Sequence, residues 1–436
     1  MELSPGDSVT ELINPEMKGN MKRIVVGLIF LSLAPAVLAE EAPRFNLKAY
    51  LEDVRSNNPE IAAASALSKA YSAKVKQAWL PEDPTIEFER MYADGTLGSG
   101  AVERNILVRQ EFRNPYKMHL QKGAATTESG VYLSQKEDRI NRTLAEAKAA
   151  FYEYALAWHY ERVNSENLEL SKKLSQIAET RYSINQGSQN DAIKAQVELS
   201  KVMNMVITAQ QEKEIAAARV NNLRGKRPGT PLAEPESFTV SASTPDYNEL
   251  EPIVLAKNPY LAAMSSRLKM AESKLSLARA EYAPDFMLSW RHRASDDAVM
   301  NNTYDVSLGL TVPLWFRKQS EMGREAKAER DMSAAEYEAA KNSVLLELKE
   351  TVVKLDYYHR LAELYGNTVL PQAEVSLKAS EAAYQAGKSD FLDLVDANRT
   401  LIEAKHEYYE YTTAYASWLG RLETLTGRSE AAQLNK

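Results

Sequence analysis

The sequence predicts a mainly α-helical protein with a small β part, arranged as two internal repeats of helix–strand–strand–long helix–helix. Three observations carry this. Gly and Pro supply only 17 residues each of 436, below their usual combined share of about 12%, so long uninterrupted helices are expected. Punctuation recurs at one distance: Asn58-Pro59 and Asn258-Pro259, Pro84 and Pro284, and Gly187 and Gly387 are each 200 residues apart, the mark of an internal duplication. Short runs in each half alternate apolar and polar residues, which is the period of a strand.

The order begins at 21–39. Met21-Lys22-Arg23, an apolar run over 24–33 and the small-residue stretch Ala34-Pro35-Ala36-Val37-Leu38-Ala39 read as a cleaved secretory signal, too short for a comfortable membrane span. The competing reading is an N-terminal anchor helix. Residues 1–20 then form an upstream extension or artefact, which leaves Met1 and Met21 both open as the start. Repeat 1 is placed at 40–225, a Pro/Ser/Thr-rich linker at 226–246, repeat 2 at 247–427 and a tail at 428–436.

Within each repeat, Asn-Pro opens a helix, because Asn caps free N–H groups and Pro suits the first helical position. Pro81 and Pro84, or Pro284, stop it. Strands are expected at about 84–92 and 103–112, and again at 285–293 and 303–313. The clearest run is Tyr304-Asp305-Val306-Ser307-Leu308-Gly309-Leu310-Thr311-Val312, whose alternation sets one face against something apolar and the other against water. From Pro115 to about Ile184 no proline interrupts the chain, and Ile140, Leu144, Ala147, Phe151, Tyr154 and Trp158 form a coiled-coil seam. Some 67 residues of helix reach roughly 100 Å, longer than any compact domain is wide. The second half repeats this from about Lys318 to Tyr384, with Leu345, Leu348, Val352 and Leu355 on the seam and a kink at Pro371. Turns at Gly187 and Gly387 send the chain back along shorter helices.

Two strands per half cannot close a sheet, and open edges are not tolerated in lipid. Several chains sharing one closed barrel would solve this. Trp79, Tyr92, Tyr116, Tyr282, Trp315 and Phe316 lie just outside the strand ends, where an outer-membrane barrel carries its aromatic girdle; helix-end core packing is the competing role.

Composition excludes other classes. With no Cys there is no disulfide scaffold, thiolate metal site or cysteine nucleophile. A formal net charge of −7 has the wrong sign for general nucleic-acid binding. The five histidines, His119, His159, His292, His359 and His406, are unpaired at helical spacing, and neither a nucleophile elbow nor a phosphate-binding glycine loop occurs. No enzyme, metal or cofactor is therefore expected.

The sequence resembles the TolC-like outer-membrane efflux family, including its metal-efflux branch, over about residues 45–427. The resemblance rests on the duplicated plan, on Asn-Pro opening each half, on Val306 through Pro313-Leu314, and on the tip segment Ala383-Tyr384-Gln385-Ala386-Gly387 continuing to Asp393-Leu394-Val395-Asp396-Ala397. It implies a homotrimer with a 12-stranded transmembrane β-barrel in the outer-membrane lipid of a Gram-negative bacterium, continuous with a periplasmic α-helical barrel. It also implies an exit duct that passively conducts what an inner-membrane pump and a periplasmic adaptor protein deliver, be it metal ions, drugs or other solutes. Asp393 and Asp396 match acidic ring residues that narrow the tunnel entrance, and Asp390 adds a carboxylate. Tyr384 matches a tyrosine that latches the closed tips, whereas Ser389 and Lys388 stand near a family arginine position. Gly187 is expected at an adaptor contact or a plain turn. A soluble periplasmic coiled-coil scaffold is the alternative reading, and it leaves the alternating strands unexplained.

Overall fold

A computed structural model describes residues 44–92, 101–238, 245–295 and 302–427. The expected signal segment, the tips of both strand–strand loops, part of the linker and the tail lie outside the described residues.

Each half begins one helix earlier than its Asn-Pro. α1 (Leu47–Asn57) is capped by Asn46 and α5 (Tyr247–Lys257) by Asp246. α2 (Pro59–Gln77) and α6 (Pro259–Ala280) follow, each with Asn at the N-cap and Pro in the first turn. The strands are β1 (Thr85–Tyr92), β2 (Ala101–Phe112), β3 (Asp285–Ser295) and β4 (Thr303–Thr311). They form one antiparallel sheet in the order β1-β2-β3-β4. Compared with the sequence expectation, β2 and β3 each reach two residues further outward, because Glu103 pairs with Ser295 and Tyr92 with Ala101 across a bulge. β4 stops at Thr311 and not at Pro313: its last partner is Asp285, and Pro313 has no N–H to extend the ladder.

α3 (Pro115–Ser183) runs unbroken for 69 residues, about 100 Å at helical rise. α4 (Gln189–Leu223) returns beside it, with Ala195, Val202, Ala209 and Ala216 buried at seven-residue steps. In the second half the long helix is interrupted. α7 (Phe316–Leu364) passes into a five-residue π turn at Tyr365–Val369, and α8 (Leu370–Gln385) carries on to the tip. The irregularity expected at Pro371 thus sits in the turn before it. α9 (Phe391–Leu425) completes the fold.

Three buried clusters hold these helices together. Tyr50, Val54, Phe151, Tyr154 and Val220 pack the first half; Leu250, Val254, Val344, Leu348, Leu355 and Leu422 pack the second. The tip has its own core around Leu377, Tyr384, Phe391, Leu394 and Leu401. The seam of α7 is Val344, Leu348, Thr351 and Leu355, with the expected Leu345 and Val352 only half-buried beside it. The described part of the linker is anchored to the first half. Phe45 N–H donates to the Glu234 carbonyl at 2.7 Å and its carbonyl accepts from Glu236 N–H at 3.1 Å, while Asn221 Nδ2 donates to the Thr230 carbonyl at 2.8 Å.

Candidate functional site

The sheet is amphipathic. Because strand side chains alternate between faces, the register puts Phe88, Ile106, His292 and Tyr304 in one row, Ile86, Val108, Trp290 and Val306 in the next, and Leu288 with Leu308 beyond. This face is bare: Phe88 is 77% exposed, Val306 73% and Leu308 77%. A water-facing sheet puts its polar side outward, so a contiguous apolar face of this size marks a surface that meets lipid or protein. The opposite face carries Glu87, Glu89, Asn105, Arg109, Arg291, Arg293 and Asp305. Arg109 pairs with Glu87 at 3.4 Å, and Arg293 with Asp305 at 3.0 Å. Leu107, an apolar exception there, is buried.

Five of the six expected girdle aromatics gather where the strands join the helices. Trp79, Tyr116, Tyr282, Trp315 and Phe316 are all exposed at that end, with Tyr282 and Phe316 stacked at 6.4 Å. Only Tyr92 lies at the far end of the sheet, half-buried. The far-end aromatics on the apolar face include Tyr304, stacked on His292 at 4.7 Å, with Phe88 in the same row, and Trp290 in the next. Sequence reasoning placed Tyr304 in its strand but not in a belt. The row of Tyr304 lies six residues from that of Leu310, about 20 Å along the strand.

The same junction holds a buried charge. Lys117, in the first turn of α3, is 2% exposed, and its Nζ lies 2.9 Å from Asp285 Oδ2 and 3.2 Å from Glu281 Oε2. Asp285 also accepts from Asn114 N–H at 2.8 Å, while Asn114 Nδ2 reaches the Pro284 carbonyl at 3.1 Å. A desolvated ammonium between two carboxylates persists only with such partners. It ties the strand–helix joints of both halves to each other.

At the opposite end of the helices, the two tip turns meet. Gly387 takes φ +71°, the left-handed conformation that ends α8, with Lys388 N–H donating to the Ala383 carbonyl at 2.8 Å. In the first-half tip Asn185 takes that role at φ 58°. Gly187 is needed there for closeness, since a Cβ would lie 3.1 Å from Arg181 Cβ. Arg181 spans both turns. It donates to the Tyr384 carbonyl and, at 3.3 Å, to the Gln186 carbonyl, and its guanidinium lies 4.7 Å from the Tyr384 ring centre. Nothing in the sequence singled it out. Tyr384 is 4% exposed and packs edge-on to Phe391 at 5.6 Å; burial pushes its phenol pKa up, partly opposed by Arg181. Ser389 Oγ is buried without a partner among the described residues, and Arg181 is the residue whose side chain meets both the carbonyl and the ring of Tyr384. A second clasp joins α9 to α4: Arg399 Nε donates to Glu198 Oε1 at 2.8 Å, and that bond holds the Glu198 carboxyl below its usual range.

Asp390, Asp393 and Asp396 all lie on the exposed side of the start of α9, opposite Phe391, Leu394 and Val395. Two of them also close the helix end. Asp393 Oδ2 accepts from Asp390 N–H at 3.3 Å within a capping box. Asp396 makes no ion pair among the described residues and keeps its carboxylate outward.

An exposed apolar sheet face, joined to helices of about 100 Å, is the plan of an outer-membrane channel that continues as a helical duct. The family description "Outer membrane efflux protein" matches residues 252–428. The cobalt-zinc-cadmium resistance protein CzcC of Cupriavidus metallidurans is 24% identical over 284 residues, which is 64% of this chain and 67% of that protein. The outer membrane protein TolC of Escherichia coli is 22% identical over 417 residues, 89% of this chain and 83% of that protein. The crystal structure of the Campylobacter jejuni CmeC outer membrane channel superposes with a TM-score of 0.75 at 13% identity, covering 89% of this chain and 88% of that one. Over residues 252–428 the chain thus matches the outer-membrane efflux family, and along most of its length it resembles TolC-like channels. It resides in the outer membrane, where such a protein is an exit channel.

Proposed function

We propose that three copies of this chain close their four-stranded sheets into one 12-stranded barrel, and that the barrel with its helical extension passively conducts solutes out of the cell. The observation that carries this is the bare apolar face of a sheet whose edge strands, β1 and β4, have no further neighbour among the described residues. Lipid is the environment in which such a face is stable, and only closure satisfies the edges there. The polar face then lines the pore. The aromatics at the strand–helix junction form the inner girdle, with Tyr92 and Tyr304 toward the outer one.

The helical tips would dock on a periplasmic adaptor, through which an inner-membrane pump delivers cargo and supplies the energy. Tyr384 and Gly387 shape the second-half tip and Gly187 the first. Threefold symmetry would bring Asp393 and Asp396, with Asp390 beside them, close to the axis. Gathered carboxylates favour cations and disfavour anions. This suits the metal-efflux branch, which the likeness to CzcC favours.

The ring is tested in planar bilayers with Asp396→Asn, which removes a charge and leaves the capping box of Asp390 and Asp393 intact. Cation selectivity should fall; a reversal potential equal to that of the parent channel rejects the ring.

A further inference from the structure

We infer that Arg90 and Arg104 form a phosphate-binding site for the anionic glycolipid of the outer leaflet, on the apolar side of the sheet just beyond its last aromatic row. This rests on the lipid-facing barrel reading above and adds what the outer rim of that barrel holds.

The register places the pair. Arg90 of β1 and Arg104 of β2 are directly opposite each other, and Arg104 in turn faces Ala294 of β3. Strand side chains alternate between faces, so these three share the face of Phe88, Ile106, His292 and Tyr304 and form the next row outward. Both arginines are exposed. Ala294 adds only a methyl group, which leaves the surface beside them open.

Charge sets this row apart from the rest of its face. Among the described strand residues no Asp or Glu lies on the apolar side, while Glu87, Glu89, Glu103 and Asp305 all fall on the polar one. The row thus carries two positive charges and no negative one. Like charges directly across a strand pair repel, and an anion seated on both would turn that repulsion into attraction.

The height fits a headgroup. From Phe286, which pairs with Leu310 near the inner girdle, to Ala294 is eight residues, roughly 27 Å along the strand. The apolar band of a transmembrane barrel is about 25 Å tall, so the arginines stand at its boundary, where acyl chains give way to polar groups. The strands run toward this end away from the helical duct, so the leaflet is the outer one.

The side-chain chemistry selects phosphate. A guanidinium presents a planar fork that gives a phosphate two parallel N–H bonds, and it is more weakly hydrated than an ammonium, which suits a site at the edge of an apolar surface. Two forks from partners about 5 Å apart at Cα can share one phosphate group. The outer leaflet of a Gram-negative outer membrane is built from lipid A, a glucosamine disaccharide whose phosphates sit directly on top of its acyl chains. Phe88 and Tyr304 would then lie against those chains, with the arginines on the phosphate.

The mature chain, purified as the trimer in detergent, is titrated with bisphosphorylated lipid A and with the same lipid after both phosphates are removed enzymatically, and native mass spectrometry counts the lipids bound. The parent should take one lipid A per chain and bind the dephosphorylated lipid about ten- to thirtyfold more weakly. Arg90→Gln/Arg104→Gln should lose a similar factor for lipid A, whereas Arg291→Gln, on the polar face, should bind as the parent does. Inorganic phosphate in excess should leave the lipid in place. Equal affinity of the parent for the two lipids, a comparison that needs no variant to fold, overturns the site and leaves the channel reading standing. So does an equal affinity for lipid A in the parent and the double variant, or an equal loss in Arg291→Gln. Release of lipid A by inorganic phosphate would mark a site for free anions and overturns the lipid assignment. A parent protein that is a water-soluble monomer without detergent overturns both readings.

Discussion

Asn58 and Asn258 each do two jobs with one side chain, which is why they recur with their prolines. Asn58 Oδ1 accepts from Glu60 N–H at 2.9 Å, capping α2, while its Nδ2 donates to the Leu223 carbonyl at 2.9 Å, closing the end of α4. Asn258 caps α6 through Leu261 N–H at 3.1 Å and closes α9 through the Leu425 carbonyl at 3.1 Å. The glycines just beyond those carbonyls, Gly225 and Gly427, have φ of +67° and +65°. A Cβ there would lie 2.8 Å from the Asn57 carbonyl oxygen and 2.5 Å from that of Lys257. Asn-Pro and Leu-x-Gly are therefore two sides of one joint, built twice. Asn258→Ala removes both bonds, and an N-cap is worth about 1–2 kcal/mol. Amide exchange at Leu261 should accelerate about five- to thirtyfold, measured by hydrogen exchange in detergent. Asn258→Ser keeps the cap acceptor but is too short to reach Leu425, so it should fall between parent and Ala. Identical Leu261 exchange in parent and Ala variant would show that the joint is held elsewhere.

At the scale of elements, the two halves keep the same 200-residue offset before and after the long helix, yet only the second interrupts it. α3 covers its path in 69 residues, whereas α7, the π turn and α8 use 49, 5 and 16, a total of 70. A π turn absorbs one extra residue in a helix, and it lies where Pro371 would otherwise clash with the Asn367 carbonyl. Gly366 packs closely inside it: a Cβ would lie 3.0 Å from the Tyr408 ring, which would have to shift to admit one. If helix length and not proline sets the turn, Pro371→Ala should retain it, while deletion of Asn367 combined with Pro371→Ala should yield one continuous α-helix. Crystal structures of the two variants check this, and a regular helix in Pro371→Ala alone would make proline the cause. Such features also show what could be read from the sequence. The strands were legible because period-two alternation survives wherever one face meets an apolar medium, and the long helices because chain breakers are missing. α1 and α5 were not legible: Asn-Pro directly behind each reads as a beginning, and Pro252 interrupts the pattern of α5. The α7 seam read one residue off at two positions, because Thr351 is polar by type. It is nevertheless fully buried, its hydroxyl satisfied by the Glu347 carbonyl at 2.7 Å. Asp393 was read for its charge, although an acid three residues after an N-cap Asp is also a capping-box signature. Arg181 reaches a residue 203 positions away, a contact that no local pattern encodes.

For the whole molecule, the decisive asymmetry is between the two faces of the sheet, and neighbouring residues of one strand test it. Leu308, on the apolar face, and Ser307, on the polar face, sit side by side in β4, paired with Leu288 and Ser289 of β3. Both are exposed within one chain, so a soluble protein would accept a charge at either. In a lipid-facing barrel the two positions part company. Arg at Leu308 would face the hydrocarbon, at a cost of about 2–4 kcal/mol near the midplane, incurred once per chain around the ring. Arg at Ser307 would point into the water-filled lumen, already lined by Arg109, Arg291 and Arg293. Leu308→Arg should therefore sharply lower the amount of detergent-extractable protein in the outer-membrane fraction. Ser307→Arg should reach the membrane at the parent level and shift single-channel conductance instead. Equal membrane yields for the two variants, or a loss confined to Ser307→Arg, would mean that the apolar face does not meet lipid, and the barrel would have to be abandoned with it.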